Sequence, residues 1–142
     1  MAALKTTING FRTNVTVEME RALKLLDLSK ESFISSSLVG PMCVEAANAI
    51  IYCHNILQTM VGGERASELP EGTKLNRRMT DDASLKYLRQ EIMFVIGAVN
   101  DPFLHSDNQE YRDGAILNLQ KAAAVLNGRI EWFKSDEMFR IP

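Results

Sequence analysis

The chain has 142 residues, of which 46% are hydrophobic and 24% are charged, and this balance excludes disordered and collagen-like chains. The formal net charge is only −2, without the basic excess of proteins that track nucleic acid. The length fits one domain covering residues 1–142. We find no secretory signal and no apolar run near the roughly 20 residues of a membrane helix.

The N-terminal segment is compatible with a helix or with a strand. A helix over 13–27 is indicated by apolar residues at the three-and-four spacing of one helix face, namely Val15, Met19, Ala22, Leu23 and Leu26. The alternation of Arg12, Asn14 and Thr16 with their neighbours instead favours a short N-terminal strand within residues 5–17. Ser29 is predicted to cap a second short helix over 30–39, which Gly40 and Pro41 interrupt.

A helix over 41–61 is the most informative prediction. Pro41 suits its first position, and Gly62–Gly63 are predicted to stop it. Its polar residues form one narrow stripe, Glu45, Asn48, Asn55 and Thr59, while most of its remaining surface is apolar. A helix that is apolar over most of its circumference is buried on several sides, so this helix is predicted to be central.

The second half of the chain predicts two more helices after a long polar loop over 62–79. Thr80 is expected to cap a helix over 81–99, which Asn100–Asp101–Pro102 end. Ser106 with Gln109 resembles a capping box for a helix that continues through Asn127–Gly128 to Phe133. The predicted fold is therefore an all-α bundle of four to five helices around helix 41–61.

Neither catalysis nor metal binding is indicated by the candidate side chains. Cys43 and Cys53 are ten residues apart on one predicted helix, about 15 Å, so they cannot form a disulfide with each other. They point in different directions, and zinc sites usually pair cysteines two to four residues apart, so a site with His54 and His105 is not expected. We predict no catalytic residues, no metal and no cofactor, and unpaired thiols favour a cytoplasmic location.

Two alternatives to protein binding come from local segments. Residues 28–34 resemble the start of the second helix of ribbon–helix–helix repressors, in which Arg12, Asn14 and Thr16 would enter the major groove from a paired strand. Only eleven residues separate Val17 from Ser29, fewer than the first helix of that family needs. This alternative makes residues 5–39 a DNA-binding repressor or antitoxin.

The basic cluster Lys74, Arg77 and Arg78 carries the second alternative. It lies in the polar loop just before a predicted helix N-terminus, where backbone N–H groups and the helix dipole favour an anion. These three residues are the candidate site for an anion, a nucleotide or a partner.

The leading functional prediction is a non-enzymatic helical protein that binds a partner protein, as a homo-oligomer and without a membrane. Its basis is the lack of a catalytic constellation, together with a small-residue face at Ala115, Ala122 and Ala123 that permits close helix contact.

Overall fold

The computed structural model describes residues 2–76, 82–135 and 137–142. They form four α-helices, α1 (Ala2–Leu28), α2 (Ser36–Val61), α3 (Asp82–Val99) and α4 (Gln109–Lys134). A 3₁₀ helix (Pro102–His105) lies between α3 and α4, and two short strands, β1 (Lys74–Leu75) and β2 (Phe139–Arg140), pair antiparallel. The predicted all-α bundle is confirmed.

The four helices surround one core, and each packs against two others. α1 contacts α2 and α3, and α4 contacts the same two helices, so α2 lies diagonally opposite α3. α2 contributes nine buried residues, the largest share of any helix among the described side chains. Ala115, Ala122 and Ala123 are buried inside the chain, so the small-residue face of α4 is already occupied by contacts within one copy.

The prediction of a short N-terminal strand is wrong, because residues 2–28 form one helix. Val15 is fully buried whereas Val17 is 54% exposed, although a strand would place both side chains on the same face. Burial of Val15, Met19, Ala22 and Leu26 follows the helical period instead. The ribbon–helix–helix hypothesis for residues 5–39 therefore loses the strand on which it depended.

The prediction of a separate helix over 30–39 is also wrong. Ser29 does not cap it, because its hydroxyl donates to the carbonyl of Leu26 at the end of α1 (2.7 Å). α2 begins at Ser36 and continues through Pro41. Proline removes one backbone donor, but Gly40 has no Cβ to clash with the proline ring, and the buried face beyond Pro41 stabilises the whole helix.

The C-terminal end of α2 lies where the sequence predicts it. Gly62 adopts a left-handed φ of 81° and donates its N–H to the carbonyl of Gln58, so the predicted stop is confirmed.

By length and composition, α2 is also apolar enough to cross a membrane. Its most apolar window has a mean hydropathy of 1.2, and 39% of that window is buried inside the bundle. No uninterrupted apolar run in the sequence reveals this, because polar residues such as Glu45 and Asn48 fall within the helix.

The ends of α3 and α4 lie close to the predicted ones, but the capping residue of α4 differs from the prediction. α3 ends at Val99 as predicted, and Thr80 lies outside the described residues. The cap of α4 is Asn108 rather than Ser106, since its side-chain oxygen accepts from the N–H groups of Glu110 and Tyr111. α4 continues through Asn127–Gly128 to Lys134, which confirms that this dipeptide is not a turn.

The polar loop is more ordered than the sequence suggests. Leu75 pairs with Phe139, Lys74 pairs with Arg140, and the N–H of Asn76 donates to the carbonyl of Met138 (2.7 Å). The C-terminal segment therefore anchors the loop to the bundle, and the burial of Phe139 makes this contact part of the core.

Candidate functional site

An open cleft of about 660 Å³ lies between α1, α2 and the loop that follows α2. One face of α2 forms its floor, with residues at the three-and-four spacing that places side chains in line: Pro41, Val44, Glu45, Asn48, Ala49 and Tyr52. The Tyr52 side chain is 45% exposed there. The floor thus combines apolar residues with the polar Glu45 and Asn48, and it carries an accessible aromatic ring.

Two asparagines of α2 hold the loop that forms the opposite wall. The amide of Asn55 donates to the carbonyl of Ala66 (2.9 Å) and its oxygen accepts from the N–H of the same residue (2.7 Å). The side-chain oxygen of Asn48 accepts from the N–H of Leu69 (3.0 Å), whose side chain is buried. These bonds satisfy backbone groups that a loop packed on an apolar helix would otherwise leave unpaired.

Beyond Leu69 the wall of the cleft is a tight turn. The N–H and the hydroxyl of Thr73 both donate to the carbonyl of Pro70 (3.2 Å and 2.6 Å). Gly72, at φ 86°, occupies the third position of this turn, where a positive φ favours glycine. The turn directs Glu71 to the surface at the edge of the cleft.

The charge of the cleft is mainly negative, because Glu18, Glu45, Glu68 and Glu71 line it together with Arg21. Arg21 forms ion pairs with Glu18 (3.4 Å) and with Glu45. Within the described part of the chain, no ion pair or hydrogen bond from a side chain reaches the carboxylates of Glu68 and Glu71. Four carboxylates against one guanidinium leave a formal charge of −3.

The basic cluster predicted from the sequence is only partly described. Lys74 lies exposed in β1 and pairs across the sheet with Arg140, which the sequence analysis did not single out. Arg77 and Arg78 lie outside the described residues. Lys74 therefore gains one cationic neighbour, and the anion site remains a prediction.

The two cysteines are buried free thiols on α2, as predicted. Burial, with a smaller effect from the negative charge of Glu18, raises the pKa of the Cys53 thiol to about 12. Burial also raises the pKa of Cys43, although a hydrogen bond with Ser29 opposes the rise. A nucleophilic cysteine requires a lowered pKa and access to solvent, and neither thiol meets these conditions.

His54 is not arranged to assist these thiols. His54 is 1% exposed, and its ring nitrogens contact Asn55 (3.1 Å) and Gln58 (3.2 Å) on the same helix. The Cys53 thiol instead donates to the carbonyl of Val15 (3.6 Å). Among the described residues, no group of three or more His, Cys, Asp and Glu side chains could hold a metal ion.

We therefore expect Cys43 and Cys53 to react at least about a hundredfold more slowly with a thiol reagent in the native protein than in denaturant, because only the thiolate attacks. The measurement is the rate of thiol labelling with and without urea, followed by intact mass. A native rate equal to the denatured rate, or a mass showing an internal disulfide, would contradict this expectation.

The cleft was not predicted from the sequence, although the polar stripe of α2 was recognised. Glu45 of that stripe forms an ion pair with Arg21 of α1. The roles of Asn48 and Asn55 were not predicted, because their partners lie 21 and 11 residues away in an irregular loop.

Comparisons of this chain with models of protein families, with curated proteins and with solved structures find no match.

Proposed function

We propose that this protein is a non-enzymatic binding module whose cleft receives an arginine- or lysine-containing segment of a partner protein. The observation that carries the proposal is the composition of the cleft, in which an exposed tyrosine lies near the carboxylates of Glu68 and Glu71, which have no cationic partner among the described residues. The sequence prediction of a protein-binding function is thereby given a specific surface.

The shape of the cleft supports a peptide-like ligand. Its volume of about 660 Å³ falls within the roughly 300–1,000 Å³ range of binding pockets. Its open form leaves room for a chain to enter and leave, and its floor runs along three turns of α2. Pro41, which is exposed, and Val44, which is half-buried, provide apolar surface for the aliphatic part of a long side chain.

The charges of the cleft favour a cationic side chain. Glu68 and Glu71 are exposed and form no ion pair with the described residues, so a guanidinium bound between them would gain charge-assisted hydrogen bonds. The exposed ring of Tyr52 offers a face for a cation–π contact, which is stronger with arginine or lysine partly removed from water. Both effects select for positive charge.

The test is binding of a short fluorescein-labelled peptide of alternating arginine and serine, followed by fluorescence anisotropy. We expect the double variant Glu68→Gln with Glu71→Gln to weaken binding about three- to tenfold, as expected for two partly exposed charges. Neither residue contributes to the core, so the thermal midpoint of unfolding should change little.

The matched control removes the same charge elsewhere. Glu20 and Glu131 are exposed and lie outside the cleft, so Glu20→Gln with Glu131→Gln should leave the affinity within about twofold. An equal loss in both double variants would assign binding to the overall charge. No binding by the wild-type protein, or equal binding of a glutamate–serine peptide, would also contradict the proposal.

The remaining functional predictions are unchanged. A DNA-binding role has no strand to support it, and the absence of enzymatic activity, the anion site at Lys74 and the cytoplasmic location stay predictions. We retain protein binding as the function because it needs only the exposed groups described above.

A further inference from the structure

A second, smaller cavity of about 220 Å³ lies between the C-terminal end of α1, the turn that follows it and the N-terminal half of α3. It is more enclosed than the cleft, and its wall is mainly apolar. Leu23, which is half-buried, and Leu26, which belongs to the core, lie on this wall. The cavity therefore reaches from the surface to the edge of the core.

Three cationic side chains also line this cavity, namely Lys30, Lys86 and Arg89, and all three are exposed. The one carboxylate among the described side chains of its lining is that of Asp27. The formal charge of the lining is therefore +2, opposite in sign to that of the cleft. Because the cationic residues are exposed whereas Leu26 is buried, the charges lie at the outer end of the cavity and the apolar wall lies at its inner end.

The two lysines are not neutralised within the part of the chain whose side chains are described. The carboxylate of Asp27 is paired with Arg89 (2.5 Å). Neither an ion pair nor a hydrogen bond with a described residue reaches the ammonium group of Lys30 or Lys86. Two ammonium groups at one cavity repel each other, and an anion bound beside both replaces this repulsion with attraction.

The C-terminal end of α1 also lies at this cavity, and unpaired carbonyl oxygens at a helix C-terminus repel anions. Here they are paired. Ser29 donates its N–H to the carbonyl of Leu25 (3.0 Å) and its hydroxyl to the carbonyl of Leu26 (2.7 Å), and the N–H of Lys30 donates to the carbonyl of Asp27 (3.3 Å). These bonds reduce the repulsion that the end of α1 exerts on an anion.

We propose that this cavity binds a small organic anion, a carboxylate attached to a short apolar group. The apolar group lies against Leu23 and Leu26, and the carboxylate accepts charge-assisted hydrogen bonds from Lys30 and Lys86. A cavity of about 150 Å³ holds benzene, so a cavity of about 220 Å³ has room for an acid of about eight non-hydrogen atoms.

The test is titration of the isotopically labelled full chain with hexanoate, followed by the chemical shifts of the backbone amides. We expect a dissociation constant on the order of 1 mM, the scale for so small a ligand, with the largest shifts at residues 23–30 and 86–89. Lys30→Gln with Lys86→Gln should raise the dissociation constant about fivefold or more.

Two further probes separate the contributions of charge and apolar surface. Hexylamine has the same alkyl chain with a positive head group, and inorganic phosphate has negative charge without an apolar part. Each should bind at least about fivefold more weakly than hexanoate. Equal binding of hexylamine would leave an apolar recess without anion selectivity, and equal binding of phosphate would leave a charge cluster without an organic ligand. Either result would overturn the proposal.

The matched control is Lys24→Gln with Lys121→Gln, which removes the same charge from exposed lysines that do not line the cavity. It should leave the dissociation constant within about twofold, and circular dichroism melting verifies that each variant is folded. No binding of hexanoate, largest shifts elsewhere, or an equal loss in both double variants would also overturn the proposal. The cavity shares no lining residue with the cleft, so failure here leaves the peptide-binding proposal unaffected.

Discussion

Replacing Leu57 by alanine is expected to lower the free energy of unfolding by about 2–5 kcal/mol. The Leu57 side chain is fully buried on α2, among residues of the single core that all four helices share. Truncation removes the transfer free energy of the lost methyl groups and leaves a cavity that the surrounding helices fill only in part. Ile50→Ala, on the same helix and also fully buried, should have an effect of the same order.

Urea denaturation monitored by circular dichroism measures this change. The control is Leu38→Ala, the same substitution on the same helix at a side chain that is 51% exposed, for which we expect less than about 1 kcal/mol. Equal urea midpoints for Leu57→Ala and Leu38→Ala would show that the core of the bundle is not where the structure places it.

Replacing Phe139 by alanine is expected to lower the free energy of unfolding by about 3–5 kcal/mol. Its ring is fully buried, and its centroid lies 5.7 Å from that of Phe133 in an edge-to-face arrangement, which adds to the energy of burial. Phe139 also belongs to β2, which pairs with Leu75 of β1. The variant should therefore release the polar loop as well as destabilise the core.

Two measurements separate these effects. Urea denaturation reports the stability, and limited trypsin digestion under native conditions reports the release of the loop through cleavage after Lys74. Phe33→Ala, at a side chain that is 74% exposed, is the matched control and should change the stability by less than about 0.5 kcal/mol. Unchanged stability and digestion of Phe139→Ala would contradict the anchoring role of the C-terminal segment.

The sequence predicted the long helices where burial repeats over several turns. The apolar residues of α3 and α4 maintain one spacing without interruption. The isolated Asn127–Gly128 was therefore correctly predicted to lie inside a helix. The same reasoning failed at Pro41, because a local rule about proline was given more weight than the buried face that continues on both sides of it. At the N-terminus the helix predicted over 13–27 is confirmed within α1, and only the alternative strand, based on alternation over three polar residues, is wrong.

The cleft could not be predicted because its walls come from separate parts of the chain. The loop that forms one wall leads into β1, which pairs with β2. Both strands are two residues long, too short for a periodic pattern. Asn48 and Asn55 appear in the sequence as polar positions on an apolar helix. Only the fold shows that they bind the loop that completes the cleft.

Chemical shift mapping of the backbone amides determines whether the cleft is the binding surface. Titration of the isotopically labelled protein with the arginine–serine peptide should shift the amides of residues 44–52 and 68–73 most strongly. The amides of α3, which does not line the cleft, should remain unchanged. Largest shifts on α3 or around residues 74–78, or small shifts spread over all helices, would contradict binding in the cleft.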